Sequence, residues 1–381
     1  MIFQLLWILV LVHIAFTWVQ AVRAGRRAKN LKSGTLANPS GYLPPVSIVV
    51  PAWNECGTLE RCIRALQKVD YPDFEIVIMA GGNDGTFAAA LQAAAQDGRF
   101  RVFERGPEPK NSALTRGIQA SRNEILVLLD ADNIVESGWL KALVAPLAAG
   151  ANVSVGDSAP NRVTWVTQEE RMWHILTYQI LKLSWIQGDR SIAIRRTVLE
   201  KVGGLPRHTY AREDWDLGVR LNQAGEKVVF ALGARLVTDR PATLAESWKH
   251  QVRWRRTHLA GSWEHRRALF HSPALAFSQL YGYGLSAVLS LGGIAAFFLY
   301  AGLPAWRLWI LQLILLAAAW LIGRRAALGA EIAAFSGEQA WLWRAWMPVA
   351  TLPLEILASD IALLSFGRLT PFYKGPRYAS S

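Results

Sequence analysis

The chain has 381 residues, enough for one catalytic domain of ordinary size and additional segments. Hydrophobic residues make up 52% of the sequence and charged residues only 18%, with 17 tryptophans, which is atypical of a purely soluble enzyme. The formal net charge of +12 indicates anionic partners such as phosphates and lipid headgroups, and we expect no nucleic acid because no nucleic-acid-binding module is recognisable.

The N-terminal segment, residues 1–22, contains no Asp, Glu, Lys or Arg and is long enough to cross a bilayer as a helix. A secretory signal would carry a basic residue before the apolar run, whereas the basic residues here all follow it. We therefore expect a transmembrane anchor at 1–22 and a basic juxtamembrane linker at 23–45. The basic residues of this linker favour the cytoplasmic side of a membrane. They predict an integral protein of the inner or plasma membrane whose following domain lies in the cytoplasm.

Short β-rich runs alternate with helical stretches after residue 45. Strands are predicted at Val46–Val50, Phe74–Met79, Phe100–Phe103 and Glu124–Leu129, and helices at Thr58–Lys68, Thr86–Gln96, Ala113–Ala120, Trp139–Leu147, Thr167–Leu183 and Asp214–Ala224. This alternation predicts an α/β catalytic domain over 46–240, with a mainly parallel sheet covered on both faces. The runs 46–50 and 125–129 are continuously apolar, which is typical of buried central strands.

The remainder of the chain is basic and then lipophilic. Residues 241–270 combine tryptophans and basic residues at helical spacings, which predicts a basic amphipathic helix lying in the membrane interface. Residues 271–367 contain apolar stretches that we assign to membrane segments, followed by a basic tail at 368–381. Glu355 and Asp360 fall in the last apolar stretch, where charges are costly and are usually functional or shielded.

Two aspartates, Asp130 and Asp132, come directly after the apolar run 125–129. A parallel strand that ends in this way carries both carboxylates to the carboxyl edge of the sheet, where ligands bind. Two carboxylates there suit a hard divalent cation that also holds a diphosphate. A polar strand-to-loop turn explains the same residues equally well.

A second acidic motif, Glu213-Asp214-Trp-Asp216, begins a helical run. Acids at the start of a helix complement its dipole, which is a sufficient structural reason for one or two of them. Three acids within four positions exceed that need. One of them could act as a general base that takes a proton from an attacking hydroxyl.

A third motif, His250-Gln251-Val-Arg253-Trp254, lies in the predicted basic helix. An arginine can hold a diphosphate through two hydrogen bonds, and a tryptophan can stack on a sugar ring. Taken alone, the motif is more typical of a membrane-surface helix.

Together these motifs resemble the membrane-bound family 2 glycosyltransferases, which have a GT-A fold and the pattern D, D, D, QxxRW. The resemblance runs from Val46 to Trp254 and implies an inverting enzyme that uses a nucleotide-sugar donor with Mn²⁺ or Mg²⁺. It implies that Asp132 binds the metal and that Asp214 is the catalytic base. The implied contacts to the nucleotide sugar and its diphosphate are Pro51, Glu55, Asp84, Lys110, Asp130, Gln251 and Arg253. The implied acceptor-site residues are Gly188, Glu213 and Trp254.

Two positions depart from that pattern. The family usually has Asp-Asp-Gly after its second strand, whereas this chain has Ala80-Gly-Gly-Asn-Asp84-Gly, so the nucleobase is left open between uridine and guanosine. The QxxRW motif opens with His250 in place of Gln.

The acceptor is open between three interpretations. Length, the N-terminal anchor and the ending 372–378 are similar to the ceramide glucosyltransferases and their bacterial relatives, which implies a UDP-sugar donor and a lipid or lipid-linked acceptor. Processive cellulose, chitin or hyaluronan synthases share the arginine–tryptophan motif and would imply a glycan product. A non-enzymatic membrane scaffold with a retained glycosyltransferase fold is the third interpretation.

Overall fold

The computed structural model describes residues 43–162, 164, 166–167, 186, 191–206, 213–267 and 352–365, with isolated positions at 8–19 and 314–323. Predictions for the anchor, the basic linker, the tail, Gly188, most of 271–367 and most of the helix Thr167–Leu183 fall outside these residues. Among the residues described, no helix combines the length and the apolar character that a membrane span requires.

The chain divides into two compact units. The sheet unit comprises residues 34–163, 183–240 and 371–381, and the helical unit comprises residues 1–33, 164–182 and 241–370. The described strands are β1 Val46–Trp53, β2 Phe74–Gly81, β3 Phe100–Glu104, β4 Ile125–Leu129, β5 Ile134–Val135, β6 Val153–Pro160, β7 Ser191–Arg195 and β8 Val228–Thr238. The helices of the sheet unit are α1 Cys56–Gln67, α2 Thr86–Gln96, α3 Lys110–Ala120, α4 Trp139–Ala148, α5 Arg196–Lys201 and α6 Glu213–Gln223. The helical unit contributes α7 Leu244–Glu264 and α8 Leu352–Leu364.

The strands form one mixed sheet in the order β3-β2-β1-β4-β7-β6-β8-β5. The first four strands in this order are parallel, as predicted, and β8 is parallel to β6. The prediction of a mainly parallel sheet is incomplete for the second half, because β7 runs antiparallel between β4 and β6, and β5 runs antiparallel to β8. β5 follows β4 without a helix between them, so the strict alternation of strand and helix, which favours parallel neighbours, is broken at that point.

Alternate side chains of the central strands enter two different cores. Ile48, Ile76 and Val127 belong to the larger core, which α1, α2 and α4 cover. Val77 and Met79 face the opposite side, where they pack with Ala113 of α3. The run 46–50 is fully buried, which confirms its predicted place at the centre of the sheet.

The strand order creates a crevice between β1 and β4. The chain leaves β1 through α1 and returns as β2 on one side, whereas β4 pairs with β1 on the other side. In open α/β sheets, ligands bind outside the carboxyl ends of the strands at such a reversal. The segments that follow β1, β2, β3 and β4 therefore share one edge, and they contain most of the predicted donor contacts.

Gly156 of β6 marks a close approach between strands. A Cβ at this position would collide with the Ser191 hydroxyl and would lie 2.9 Å from the backbone oxygen of Ala234. We expect Gly156→Ala to destabilise the protein by about 1–3 kcal/mol, since a backbone carbonyl cannot move aside cheaply. A thermal melt of the full-length protein should show a decrease of several degrees.

Gly138→Ala is the matched control, because nothing lies within 4 Å of a Cβ there. A melting temperature of Gly156→Ala equal to that of this control would contradict the packing of β6 against β7 and β8.

Candidate functional site

The turn that follows β1 is interlocked with the loop that follows β2. Asn54 adopts a left-handed conformation with φ 53°, and its Oδ1 accepts a hydrogen bond from the backbone N–H of Asn83 at 2.9 Å. Gly82 has φ 118°, and a Cβ on it would collide with the Asn54 side chain. The glycine that stands in this loop is therefore required for the two loops to meet.

Asp84 binds these two loops together. Its carboxylate accepts hydrogen bonds from the backbone N–H of Cys56 at 3.0 Å, and from the backbone N–H and hydroxyl of Thr86 at 3.0 and 2.6 Å. Burial alone would raise the pKa of Asp84, but these hydrogen bonds outweigh it and lower the pKa below its usual value. Asp84 is exposed, so its assignment as a nucleotide contact stays a prediction alongside this role in the loop.

Pro51 and Glu55 lie along and just beyond β1. Pro51 is buried inside the strand, opposite Met79 of β2. Glu55 follows the end of the strand, and its backbone N–H donates to the hydroxyl of Thr86 at 2.7 Å. The side chain of Glu55 is only 4% exposed, which places a buried carboxyl group at the carboxyl edge of the sheet.

Lys110 and Asp130 form an ion pair across this edge, with Nζ and Oδ1 2.6 Å apart. Lys110 begins α3, and Asp130 follows β4, so this ion pair joins two segments that are distant in sequence. The next residue, Asn111, is fully buried and donates through its side-chain amide to the backbone oxygen of Pro206 at 2.8 Å. This bond anchors the segment that leads towards the second acidic motif.

Asp132 has a side-chain oxygen whose surroundings fit a cation. Its Oδ1 is buried, and no group in the described part of the chain donates to that atom. A buried carboxylate oxygen without a donor is costly, and a metal ion that shares the diphosphate oxygens would satisfy it. The described residues contain no cluster of three or more His, Cys, Asp or Glu side chains that could hold a metal by themselves. Asp132 is thus the residue of this edge that would hold a divalent cation, and its assignment to the metal stays a prediction.

Cys62 lies beneath these acids on α1. It is a free, fully buried thiol whose Sγ is 4.0 Å from the backbone oxygen of Asp130, to which it donates. Burial raises the pKa of this thiol, and the charges of Asp132, Glu55 and Asp130 raise it further. Three carboxyl groups thus lie close enough to affect the ionisation of one buried thiol, and this edge of the sheet carries a concentration of negative charge.

The second acidic motif separates into residues with different surroundings. Asp216 is buried and bonds Arg220 at 2.6 Å, and Arg220 also donates to the backbone oxygens of Val202 and Gly204. Arg220 therefore fastens α6 to the loop after α5, and Asp216 holds the Arg220 side chain in place. Asp214 is only half-buried, and its Oδ1 accepts from the backbone N–H of Trp215 at 2.8 Å. Glu213 is the first residue of α6.

The third motif lies on α7, in the helical unit. His250 Nε2 is 2.6 Å from the guanidinium of Arg253, and the rings of His250 and Trp254 are 4.4 Å apart. Positions three and four apart share a face of a helix, whereas positions two apart do not. His250, Arg253 and Trp254 therefore form one face, and Gln251 lies away from Arg253. The assignment of Gln251 to the diphosphate stays a prediction, and His250 is the residue that the structure adds.

Three of these roles were not assigned from the sequence. The four-residue spacing between Asp216 and Arg220, and the three-residue spacing between His250 and Arg253, were readable signals of helical pairs. The place of Cys62 beneath Asp130 depends on packing between distant segments, and the sequence carries no signal for it.

The profile of the family described as "Glycosyltransferase like family 2" matches residues 44–257, which is more than half of the chain. The chain belongs to this family. Its sheet unit has the corresponding GT-A-like α/β fold, with a mixed sheet, which confirms the predicted fold class at that level.

Two relatives and one solved structure illustrate the likeness. The glycosyltransferase AglE of Haloferax volcanii is 26% identical over 50% of this chain and 65% of its own length. The beta-monoglucosyldiacylglycerol synthase of Trichormus variabilis is 25% identical over 56% of this chain and 49% of its own length. The chain thus spans less than two thirds of either relative. The mannosyltransferase PcManGT of Pyrobaculum calidifontis, solved with GDP-Man and Mn²⁺, has a TM-score of 0.59 and 19% identity, and covers 95% of this chain and 99% of its own.

Asp84 provides a pH test of the interlocked loops. We expect Asp84→Asn to lower stability at pH 7 by about 0.5–1.5 kcal/mol, because the amide offers one acceptor oxygen where the carboxylate offers two. Since folding lowers the pKa of Asp84, its contribution is complete above the ordinary aspartate value of about 3.9 and is lost as pH falls through the lowered pKa. The gap in melting temperature between wild type and variant should therefore close at acidic pH. A gap that stays constant from pH 7 to pH 3 would contradict this role.

Proposed function

We propose that the protein is an inverting, metal-dependent glycosyltransferase that moves a sugar from a nucleotide-sugar donor to a lipid or lipid-linked acceptor at the cytoplasmic face of a membrane. The observation that carries the proposal is the carboxyl edge of β1 and β4, where Glu55, Asp130 and Asp132 gather beside Lys110. This is the composition that a diphosphate and its cation require: acids for the metal and a cation for the phosphate oxygens.

Asp132 would hold Mn²⁺ or Mg²⁺, and the bound ion would supply positive charge that stabilises the departing diphosphate. Asp130 would lie beside the nucleotide sugar. Lys110, which Asp130 holds at 2.6 Å, is positioned to turn towards the diphosphate when the donor binds. Arg253 and Gln251 of α7 complete the predicted contacts to the diphosphate, and Glu55, Pro51 and Asp84 those to the nucleotide.

Asp214 is the proposed general base. Asp216 is committed to Arg220, and this leaves the half-buried Asp214 as the better placed of the two to accept a proton from an acceptor hydroxyl. Asp214 would take the proton as the hydroxyl oxygen bonds to the anomeric carbon on the face opposite the nucleoside diphosphate. The bond from that carbon to the diphosphate oxygen breaks, the nucleoside diphosphate leaves, and this single displacement inverts the configuration. Glu213, Trp254 and Gly188 are the proposed acceptor-site residues.

The proposed donor is a UDP-sugar, although PcManGT, whose structure holds GDP-Man, is a reason to test guanosine donors in parallel. The proposed acceptor is a lipid. Beta-monoglucosyldiacylglycerol synthase is named for a glycolipid product, and the apolar C-terminal sequence suits a membrane-bound acceptor.

The test of this function is transfer of a labelled sugar by the full-length protein in detergent. The assay contains Mn²⁺ and total membrane lipid, with UDP-glucose or GDP-mannose as donor, and the products are separated by organic extraction. Label in the organic phase supports the proposal, and the donor that supplies it identifies the nucleobase that the enzyme uses. Label only in large water-soluble material would contradict a lipid acceptor and favour a processive synthase. If a range of nucleotide sugars gives neither metal-dependent transfer nor donor hydrolysis, the result would favour a non-enzymatic membrane scaffold.

We expect Asp214→Asn to reduce turnover by about 10²–10⁴-fold, the usual contribution of a general base, while donor affinity stays unchanged. Asp73→Asn makes the same chemical change at an exposed position before β2, at the opposite edge of the sheet, and should leave turnover unaltered. The check is kcat together with the donor dissociation constant for both variants. Normal turnover of Asp214→Asn would contradict the assignment of Asp214 as the general base.

A further inference from the structure

Within the helical unit, α7 is fastened to α8 by side chains that the proposed chemistry does not use. Arg255 donates to the hydroxyl of Ser359 and to Oε2 of Glu355, each at 2.8 Å. One residue further along α7, Arg256 donates to the hydroxyl of Ser365 at 2.8 Å. Two consecutive arginines of α7 thus reach three positions along the C-terminal segment.

The pair between Arg255 and Glu355 is shielded from water. The side chains of Arg255 and Glu355 are 18% and 4% exposed, and Ser359 is fully buried. A carboxylate in such a place is stable only while its partner remains, because a buried charge without compensation is strongly unfavourable. This contact accounts for a charged residue in an otherwise apolar stretch, since Glu355 is neutralised by α7.

Arg255 leaves α7 on a different side from Arg253 of the third motif, whereas Arg256, three residues after Arg253, shares a face with it. Arg253 and Arg255 are two residues apart, so their side chains leave the helix axis about 200° apart. The contacts of Arg255 and Arg256 with α8 restrain the rotation and the axial position of α7 within the helical unit. They therefore also restrain the direction in which Arg253 and Trp254 leave the helix.

We propose that Glu355 is a positioning residue for the donor site, acting through Arg255 to hold α7 in the rotation that presents Arg253 and Trp254. The C-terminal segment 352–365 then contributes to donor binding by positioning α7. This inference rests on the proposed function, because it takes Arg253 to contact the diphosphate.

The experiment measures binding of UDP and GDP with Mn²⁺ by the full-length protein in detergent, with hydrogen–deuterium exchange across α7. Arg253→Ala gives the reference for loss of the diphosphate contact. We expect Glu355→Ala to weaken binding by roughly 3- to 30-fold and to speed exchange in α7. The milder Glu355→Gln keeps the volume of the side chain, and the melting temperature of each variant shows whether it folds.

Exchanging the charges separates positioning from general stability. The double variant Arg255→Glu with Glu355→Arg should recover binding to within about threefold of wild type, whereas each single reversal should not. Wild-type affinity in both Glu355→Ala and Glu355→Gln would overturn the proposal. Faster exchange in α7 with unchanged affinity would also overturn it, because the pair would then be purely structural.

The proposed function fails in a different way. If wild type binds nucleoside diphosphate but transfers no sugar, the transferase function fails while the binding comparison still decides the role of Glu355. If wild type binds neither UDP nor GDP, both the function and the positioning role are overturned.

Discussion

The site depends on negative charge that parallel strands bring to one edge. β1 and β4 are parallel neighbours whose carboxyl ends lie at the same edge of the sheet, and Glu55, Asp130 and Asp132 follow them within reach of the buried thiol of Cys62. Their mutual repulsion needs a positive charge nearby, and Lys110 provides one for Asp130. The buried Oδ1 of Asp132 has no donor among the described residues, and a cation that fits the site would compensate its charge.

The surrounding loops hold this cluster in place through bonds between distant segments. Asp84 joins the loops after β1 and β2, and Asn111 fastens the start of α3 to Pro206. Arg220 grips the same 202–206 loop from α6, the helix that carries Asp214. The start of α3, with Lys110, and the helix of the proposed base are thus tied to the same loop within the sheet unit. Rigid support of this kind keeps reacting groups in register.

Local sequence patterns predicted much of the fold but less of the candidate site. The bounds of α2 and the central strands β1, β2 and β4 followed from apolar runs and helical spacing, which act over a few residues. The second half was harder, because β6 and β8 are paired through long-range contacts, and Gly156 and Gly233 interrupt their apolar pattern. The motifs indicated Asp130, Asp132 and Lys110, and the structure brings Asp130 and Lys110 into contact. The bonds of Asp84, and of Arg255 with Glu355, join segments far apart in sequence, which a pattern along one chain cannot reveal.

The central claim is that Asp132 completes a cation site that forms only with a nucleoside diphosphate. The most direct test is Mn²⁺ binding to the full-length protein, followed by electron paramagnetic resonance with and without UDP or GDP. The account predicts weak Mn²⁺ binding alone, a marked gain in affinity with the diphosphate, and loss of that gain in Asp132→Asn but not in Asp214→Asn. A gain that survives in Asp132→Asn, or no coupling between metal and nucleotide in wild type, would contradict it.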